Sequence, residues 1–227
     1  ALLDADDLWN PNYLQTIHEL ILSHPNQHVF AAAVCVETKQ QHIHSVYSVL
    51  DLLPNQVRVL DYFESSCINT LLTSSSTVLH KSVFEKIGCY NISIKSGQDT
   101  DLWIRIGLQY KIVFVNRVLV VYSYATNSLY KSSKSISERA TFDEYIPYEK
   151  ENKALKKFLD LNRFSLAVFA KKNGDRVGYK NNLHKIDLQN LNKKQITLLY
   201  CPRLCMLGLI WIKAEANRFG FQLSTYK

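Results

Sequence analysis

The sequence predicts an α/β protein in which a mixed sheet flanked by helices is followed by a mainly helical appendage. Three observations carry this expectation. Short apolar or β-branched runs alternate with amphipathic helical patterns as far as Tyr124. Two of those runs, Lys111–Val115 and Val118–Tyr124, are separated only by Asn116-Arg117. That is too short for a crossover, so they read as two strands joined by a tight link and the sheet as mixed. Charge also divides the chain: residues 1–101 hold 5 Lys/Arg and 11 Asp/Glu (net −6), whereas residues 102–227 hold 22 and 9 (net +13).

Taken in order, Ala1–Asp4 reads as a buried strand and Asp7-Leu8-Trp9-Asn10-Pro11 as the turn after it. Asn10 is placed to cap a helix with Pro11 in its first turn, and Leu14, Ile17, Leu20 and Ile21 give that helix an apolar face ending near Pro25. Val29–Val36 is a continuous apolar run, as expected of a buried strand. His42–Leu50 is β-branched and aromatic, and Leu71–Leu79 offers another short strand. Lys81–Ile87 reads as a short helix closed by Gly88, and Asp99–Gln109 as an amphipathic helix.

The Ser- and Lys-rich stretch Ser128–Ser137 reads as a linker, so the units are expected over 1–130 and 131–227. Residues 148–227 carry 16 Lys/Arg and 6 Asp/Glu (net +10) in helical patterns. The apolar run Ile196–Ile212 has one charge, Arg203, and is broken by Pro202, which makes it too short and interrupted to span a bilayer. Two readings remain for it: a helix buried against its own unit, or peripheral membrane contact through 196–219. In the second, Trp211 and the neighbouring Lys and Arg residues lie at an anionic interface.

At 47% hydrophobic and 21% charged residues the composition excludes a disordered or collagen-like chain. Five cysteines with no Cys-x-x-Cys pair exclude a zinc knuckle and a disulfide framework, and favour a reducing, cytoplasmic compartment. The start shows no basic segment leading into an apolar one, so no secretory signal is read there. An apolar run that meets an acidic cluster at its fourth residue looks like a strand entered part-way, so the chain is expected to be a piece of a longer polypeptide.

That cluster, Asp4-Ala5-Asp6-Asp7, carries the most chemistry. In an extended chain Asp4 and Asp6 point to one side, and Asp7 begins the turn. Converging carboxylates repel unless a cation lies between them, and hard oxygen donors suit Mg²⁺ or Mn²⁺ bridging to substrate phosphates. Asp6 and Asp7 also fit the plain alternative of acids ahead of a helix N-terminus. His42 and His44 alternate on one strand face, but without a third ligand they read as surface histidines.

Two families place Asp-x-Asp at a strand end. Haloacid-dehalogenase-like phosphatases would use Asp4 as nucleophile and Asp6 as general acid, but their motif is followed by a Gly- or Thr-containing turn, which Asp-Leu-Trp-Asn-Pro is not. Leu2–Trp9 followed by the Asn-Pro cap resembles more closely the Asp-x-Asp region of family 2 glycosyltransferases of the GT-A fold. Gly97-Gln98-Asp99-Thr100-Asp101-Leu102-Trp103 resembles that family's Glu-Asp catalytic segment, 95 residues after Asp4, and Ser76–Gly88 resembles the acceptor-side segment before it. The resemblance covers about residues 1–130.

It implies a GT-A-type mixed sheet whose N-terminal nucleotide-binding part is missing, so that the chain alone is expected to be inactive. It implies inverting transfer of a sugar from a nucleotide-sugar donor to a glycan or lipid-linked acceptor, in surface glycan or polysaccharide assembly. Asp99 would be the catalytic base, Asp6 and Asp7 the metal ligands, and Asp4 with Asp6 the donor-side contacts. Localisation would be cytoplasmic, peripheral on the inner face of the cytoplasmic membrane.

Gln98 replaces the Glu of the Glu-Asp pair, and Ser123 and Ala125 stand where the family often has Arg and His. Asp99, at a helix N-terminus, is expected to be held in its ionised form, while Asp101 and Arg105, four apart, pair on the helix surface. Leu102 and Trp103 are expected in the core. The third reading is a non-catalytic, membrane-binding remnant of a transferase. No nucleic-acid-binding motif is present, so nucleic acid is not an expected partner.

Overall fold

The computed structural model describes residues 1–37, 42–123, 136–218 and 224–226. The chain forms two compact units, Ala1–Ser132 and Ser133–Lys227.

The first unit is α/β with a mixed sheet, as its alternating pattern predicts. Its strands are β1 (Leu8–Trp9), β2 (Val29–Glu37), β3 (His42–His44), β4 (Val57–Leu60), β5 (Thr77–Leu79) and β6 (Ile112–Ser123), and its helices are α1 (Tyr13–Ser23), α2 (Tyr62–Ser65), α3 (Lys81–Ile87) and α4 (Gln98–Gly107). The order β1-β6-β2-β3 forms the spine, with β4 also on β6 and β5 also on β2. Among the described residues only β2 and β6 run parallel. Both faces of β2 are covered, which is why Val29–Cys35 is apolar without alternation. Phe30, Ala32 and Val34 form a core with Tyr13, Ile17 and Leu20 of α1 and with Val113, Val115, Leu119 and Val120 of β6. On the other side Tyr47 meets Phe114 edge-on at 4.8 Å and accepts a hydrogen bond from the Val34 N–H. Gly107 lets α4 approach α2, since a Cβ there would come within 2.8 Å of the Tyr62 ring.

Several expectations are corrected. Lys111–Val115 and Val118–Tyr124 are not a hairpin: Ile112–Ser123 is one strand, pairing along its length with β2 through a register irregularity at Ala32–Val34. The Asn116 side chain donates to the carbonyls of Leu52 and Leu53, and its backbone bonds Asn55 and Gln56. The irregularity is thereby anchored without reversing the chain. Ala1–Asp4 is not a buried strand. It is exposed and has no ladder partner among the described residues, whereas Leu8 and Trp9, read as turn, pair with Val121 and Val120.

The strands expected over His42–Leu50 and Leu71–Leu79 shrink to His42–His44 and Thr77–Leu79, because Ser74–Ser76 forms a 3₁₀ turn closed by a Thr73–Ser76 capping box. β4, which is short and carries Arg58 in its middle, escaped the pattern. In α1 the buried face is Tyr13, Ile17 and Leu20, and Leu14 and Ile21 are open. That helix begins at Tyr13, and Asn10 caps the preceding turn by accepting from the Asn12 N–H.

The second unit is helical: α5 (Ile146–Glu149), α6 (Lys153–Asn173), α7 (Arg176–Leu183), α8 (Lys193–Tyr200) and α9 (Arg203–Arg218). Leu155, Phe158, Leu159, Phe164, Ala167 and Leu199 are among its buried residues. Side chains mark the helix starts: Asn152 accepts from the Leu155 N–H, Asp175 from the Gly178 N–H, and Asn192 shares a capping box with Gln195. The linker expected over Ser128–Ser137 lies largely outside the described residues. Among the described residues no helix is long and apolar enough to cross a membrane.

Candidate functional site

The acidic cluster does not run extended. The Asp7 N–H donates to the Asp4 carbonyl at 3.1 Å, closing a turn that brings Asp4 and Asp7 together and leaves Asp6 exposed. The turn is tied to the 3₁₀ segment: the Asp4 N–H donates to Ser75 Oγ at 3.0 Å, and Trp9 Nε1 donates to the Ser75 carbonyl at 2.7 Å. Trp9 stacks on Tyr13 with ring centroids 4.6 Å apart, which seats the turn on α1. Asp7 is only 5% exposed. Its Oδ1 accepts from the Ser123 N–H at 3.0 Å, and its Oδ2 is buried with no hydrogen-bond partner among the described residues.

The second arm begins at Gly97, whose φ of 89° is left-handed backbone that a glycine adopts without strain. Gln98 and Asp99 follow in the first turn of α4, where the chain is held by Leu102, Trp103, Ile104 and Ile106, all buried. Leu102 and Trp103 are thus core residues, as expected. Asp101 pairs with Arg105, its Oδ2 accepting from Nε at 3.1 Å and Nη2 at 2.8 Å. The pair is not on the surface: Asp101 is buried, because Arg105 also donates to the carbonyls of Ile87 and Cys89 and locks α4 to the end of α3.

The two arms meet electrostatically. Crowding by protein raises the Asp99 carboxyl above the usual range although the residue opens to solvent, and the Asp4 carboxylate raises it further. The Asp4 carboxyl is raised as well, first by partial burial, then by Asp7 and Asp6. The helix N-terminus had predicted the reverse for Asp99; desolvation and a like charge outweigh the dipole there. Among the described residues no Lys or Arg is paired with Asp4, Asp6, Asp7 or Asp99.

Tyr90 completes the group and was not read from the sequence. Half-buried, its phenol is raised by burial, lowered by a hydrogen bond with Ser74, and raised again by Asp99 and Asp4. The one local signal was its place two residues after the Gly88 helix stop. Ser75 was likewise missed, because its role lies in a contact 71 residues away.

His42 and His44 are exposed, and His42 lies 3.3 Å from Glu37, so they join no cluster. Among the described residues no three His, Cys, Asp or Glu side chains converge on a metal position. Ala125 lies outside the described residues. In comparisons with known proteins no family model matches the sequence, and no curated protein matches it either.

Proposed function

We propose that this cluster serves an inverting glycosyl transfer, from a nucleotide-sugar donor to an acceptor hydroxyl, with Asp99 as base. The observation that carries the reading is the buried Asp7 Oδ2, which has no hydrogen-bond partner among the described residues, beside Asp4, whose carboxylate in turn helps to raise the carboxyl of Asp99, 95 residues further on. Acids held together against their own repulsion fit a site completed by an external positive charge.

The buried Asp7 Oδ2, unpartnered among the described residues, and the neighbouring Asp4 supply hard donors of the kind Mg²⁺ or Mn²⁺ takes. Mg²⁺ commonly uses one or two carboxylates together with substrate phosphates, so a set of three protein ligands is not required. Such an ion would stabilise the departing diphosphate. Asp99 would take the acceptor proton as the acceptor oxygen bonds the anomeric carbon and the bond from that carbon to phosphate breaks. Its raised pKa makes it a stronger base once ionised.

In the protein, Asp99→Asn should abolish transfer and leave sugar-nucleotide binding nearly intact, read as nucleoside diphosphate release against direct binding. Retained turnover would overturn the assignment, and phosphate-ester hydrolysis that depends on Asp4 would favour the phosphatase instead. Mn²⁺ should raise the thermal midpoint of the wild type and not of Asp7→Asn; equal shifts in both would remove Asp7 from the metal site.

A further inference from the structure

Helix α9 leaves one of its faces uncovered. Met206 is buried, whereas Leu204 is 81% and Trp211 65% exposed, and Leu209 and Ile212 are open too. At 100° per residue, Leu204, Gly208, Trp211 and Ile212 fall on the side away from Met206. Between Arg203 and Lys213 the helix carries no charge, and Glu215, one turn after Trp211, ends the apolar stripe. The uncharged stretch is roughly 13 Å long at 1.5 Å per residue. Trp211 is distinctive among the three tryptophans, since Trp9 is stacked on Tyr13 and Trp103 is buried.

The surroundings of this stripe are cationic. Arg203 donates to the Lys172 carbonyl at 3.0 Å, which sets exposed Lys172 beside the start of α9, and exposed Lys213 follows its last apolar residue. Residues 148–227 as a whole are net +10. Pairing with a second copy would bring two such surfaces together against their own repulsion. The break at Cys201-Pro202 and the absence of a spanning helix among the described residues leave the stripe to lie along a surface, not to cross one. Apolar side chains with Trp among them, bordered by Lys and Arg, match the boundary between head groups and acyl chains of an anionic bilayer.

We propose that α9 docks flat on anionic phospholipid membrane, Leu204, Trp211 and Ile212 entering the acyl boundary while Lys172, Arg203 and Lys213 meet lipid phosphates. The surface is narrower than residues 196–219, because Leu199 is spent in the core. The inference stands on this surface alone and is independent of the glycosyl-transfer reading.

The test is co-sedimentation of the 227-residue chain with phosphatidylcholine vesicles containing about a third phosphatidylglycerol, at about 0.15 M salt. Binding should be at least roughly tenfold tighter than to pure phosphatidylcholine. It should come with a blue shift of tryptophan emission that Trp211→Phe removes. The double variant Leu204→Ser/Ile212→Ser changes only solvent-facing side chains, so its circular dichroism and melting should match the wild type. Its vesicle binding should fall roughly tenfold. Three results would each overturn the proposal: no sedimentation with anionic vesicles, unchanged binding by the double variant, or equal binding to both vesicle types. Self-association without lipid that the double variant abolishes would also overturn it, naming a second copy as the occupant.

Discussion

The two units treat their acids in opposite ways. In the second unit Asp160 and Arg163 are fully buried, and Glu149 and Lys156 complete a neutral set of two acids and two bases. Asp160 Oδ1 takes the two cations, while its Oδ2 accepts from the Asp187 N–H at 3.1 Å and Asn190 Nδ2 at 2.8 Å. These carboxylates close a local account of charge and pin α5, α6 and the 3₁₀ turn Leu188–Asn190 together. In the first unit Asp4, Asp7 and Asp99 are brought near one another with no Lys or Arg paired to them among the described residues. The contrast teaches how to tell a structural acid from a candidate functional one: burial alone does not separate Asp160 from Asp7, but the completeness of its partners does.

Unbalancing the charges of the second unit should cost the most stability. Arg163→Met leaves Asp160 and Glu149 buried with Lys156 as their remaining cation, and should cost about 3–5 kcal/mol in urea unfolding. A loss under about 1 kcal/mol would mean that the cluster is not a pin. Next comes Asp101→Asn, which removes the charge from a buried acid of the first unit that is paired with an arginine. It should destabilise by about 2 kcal/mol and raise hydrogen exchange at the end of α3, because Arg105 loses its anchor.

Two residues earlier the sign should reverse. Asp99→Asn and Asp4→Asn should each raise stability at neutral pH, by no more than about 1 kcal/mol because both residues open to solvent. The double variant should gain less than the sum, since the repulsion between them is shared.

The same pair gives the smallest effect, a pH dependence. Both carboxyls bind their proton more tightly in the folded chain than at the ordinary value of 3.8. The penalty is therefore fully present above their raised folded values and fades as the pH falls through them towards 3.8. Acidification across that window should slow hydrogen exchange in α4 of the wild type relative to the double variant. Equal pH profiles would show that these acids are not strained.

How much could be read without coordinates depended on the range of the interaction involved. Lys81–Ile87 with its Gly88 stop, the start of α4 near Asp99, the buried run of β2 and the break at Pro202 all rest on local chemistry: a glycine stop, a helical period, an unbroken apolar stretch, a missing N–H. Sequence by itself also marked Asp4, Asp6 and Asp7, because clustered acids are conspicuous whatever the fold, and Asp99 through the resemblance of its segment to a catalytic motif.

Tertiary structure alone decided the rest. It made one strand of Ile112–Ser123, since β2 offers a parallel partner on both sides of Asn116 and no local signal reports that partner. It folded Asp4–Asp7 into a turn, since Ser75, 71 residues away, holds the Asp4 N–H. It raised the Asp99 carboxyl where the helix terminus alone would lower it, and brought Tyr90 to the acids. Propensities and caps act over a few residues, whereas desolvation and Coulomb repulsion depend on which distant segments the fold sets side by side.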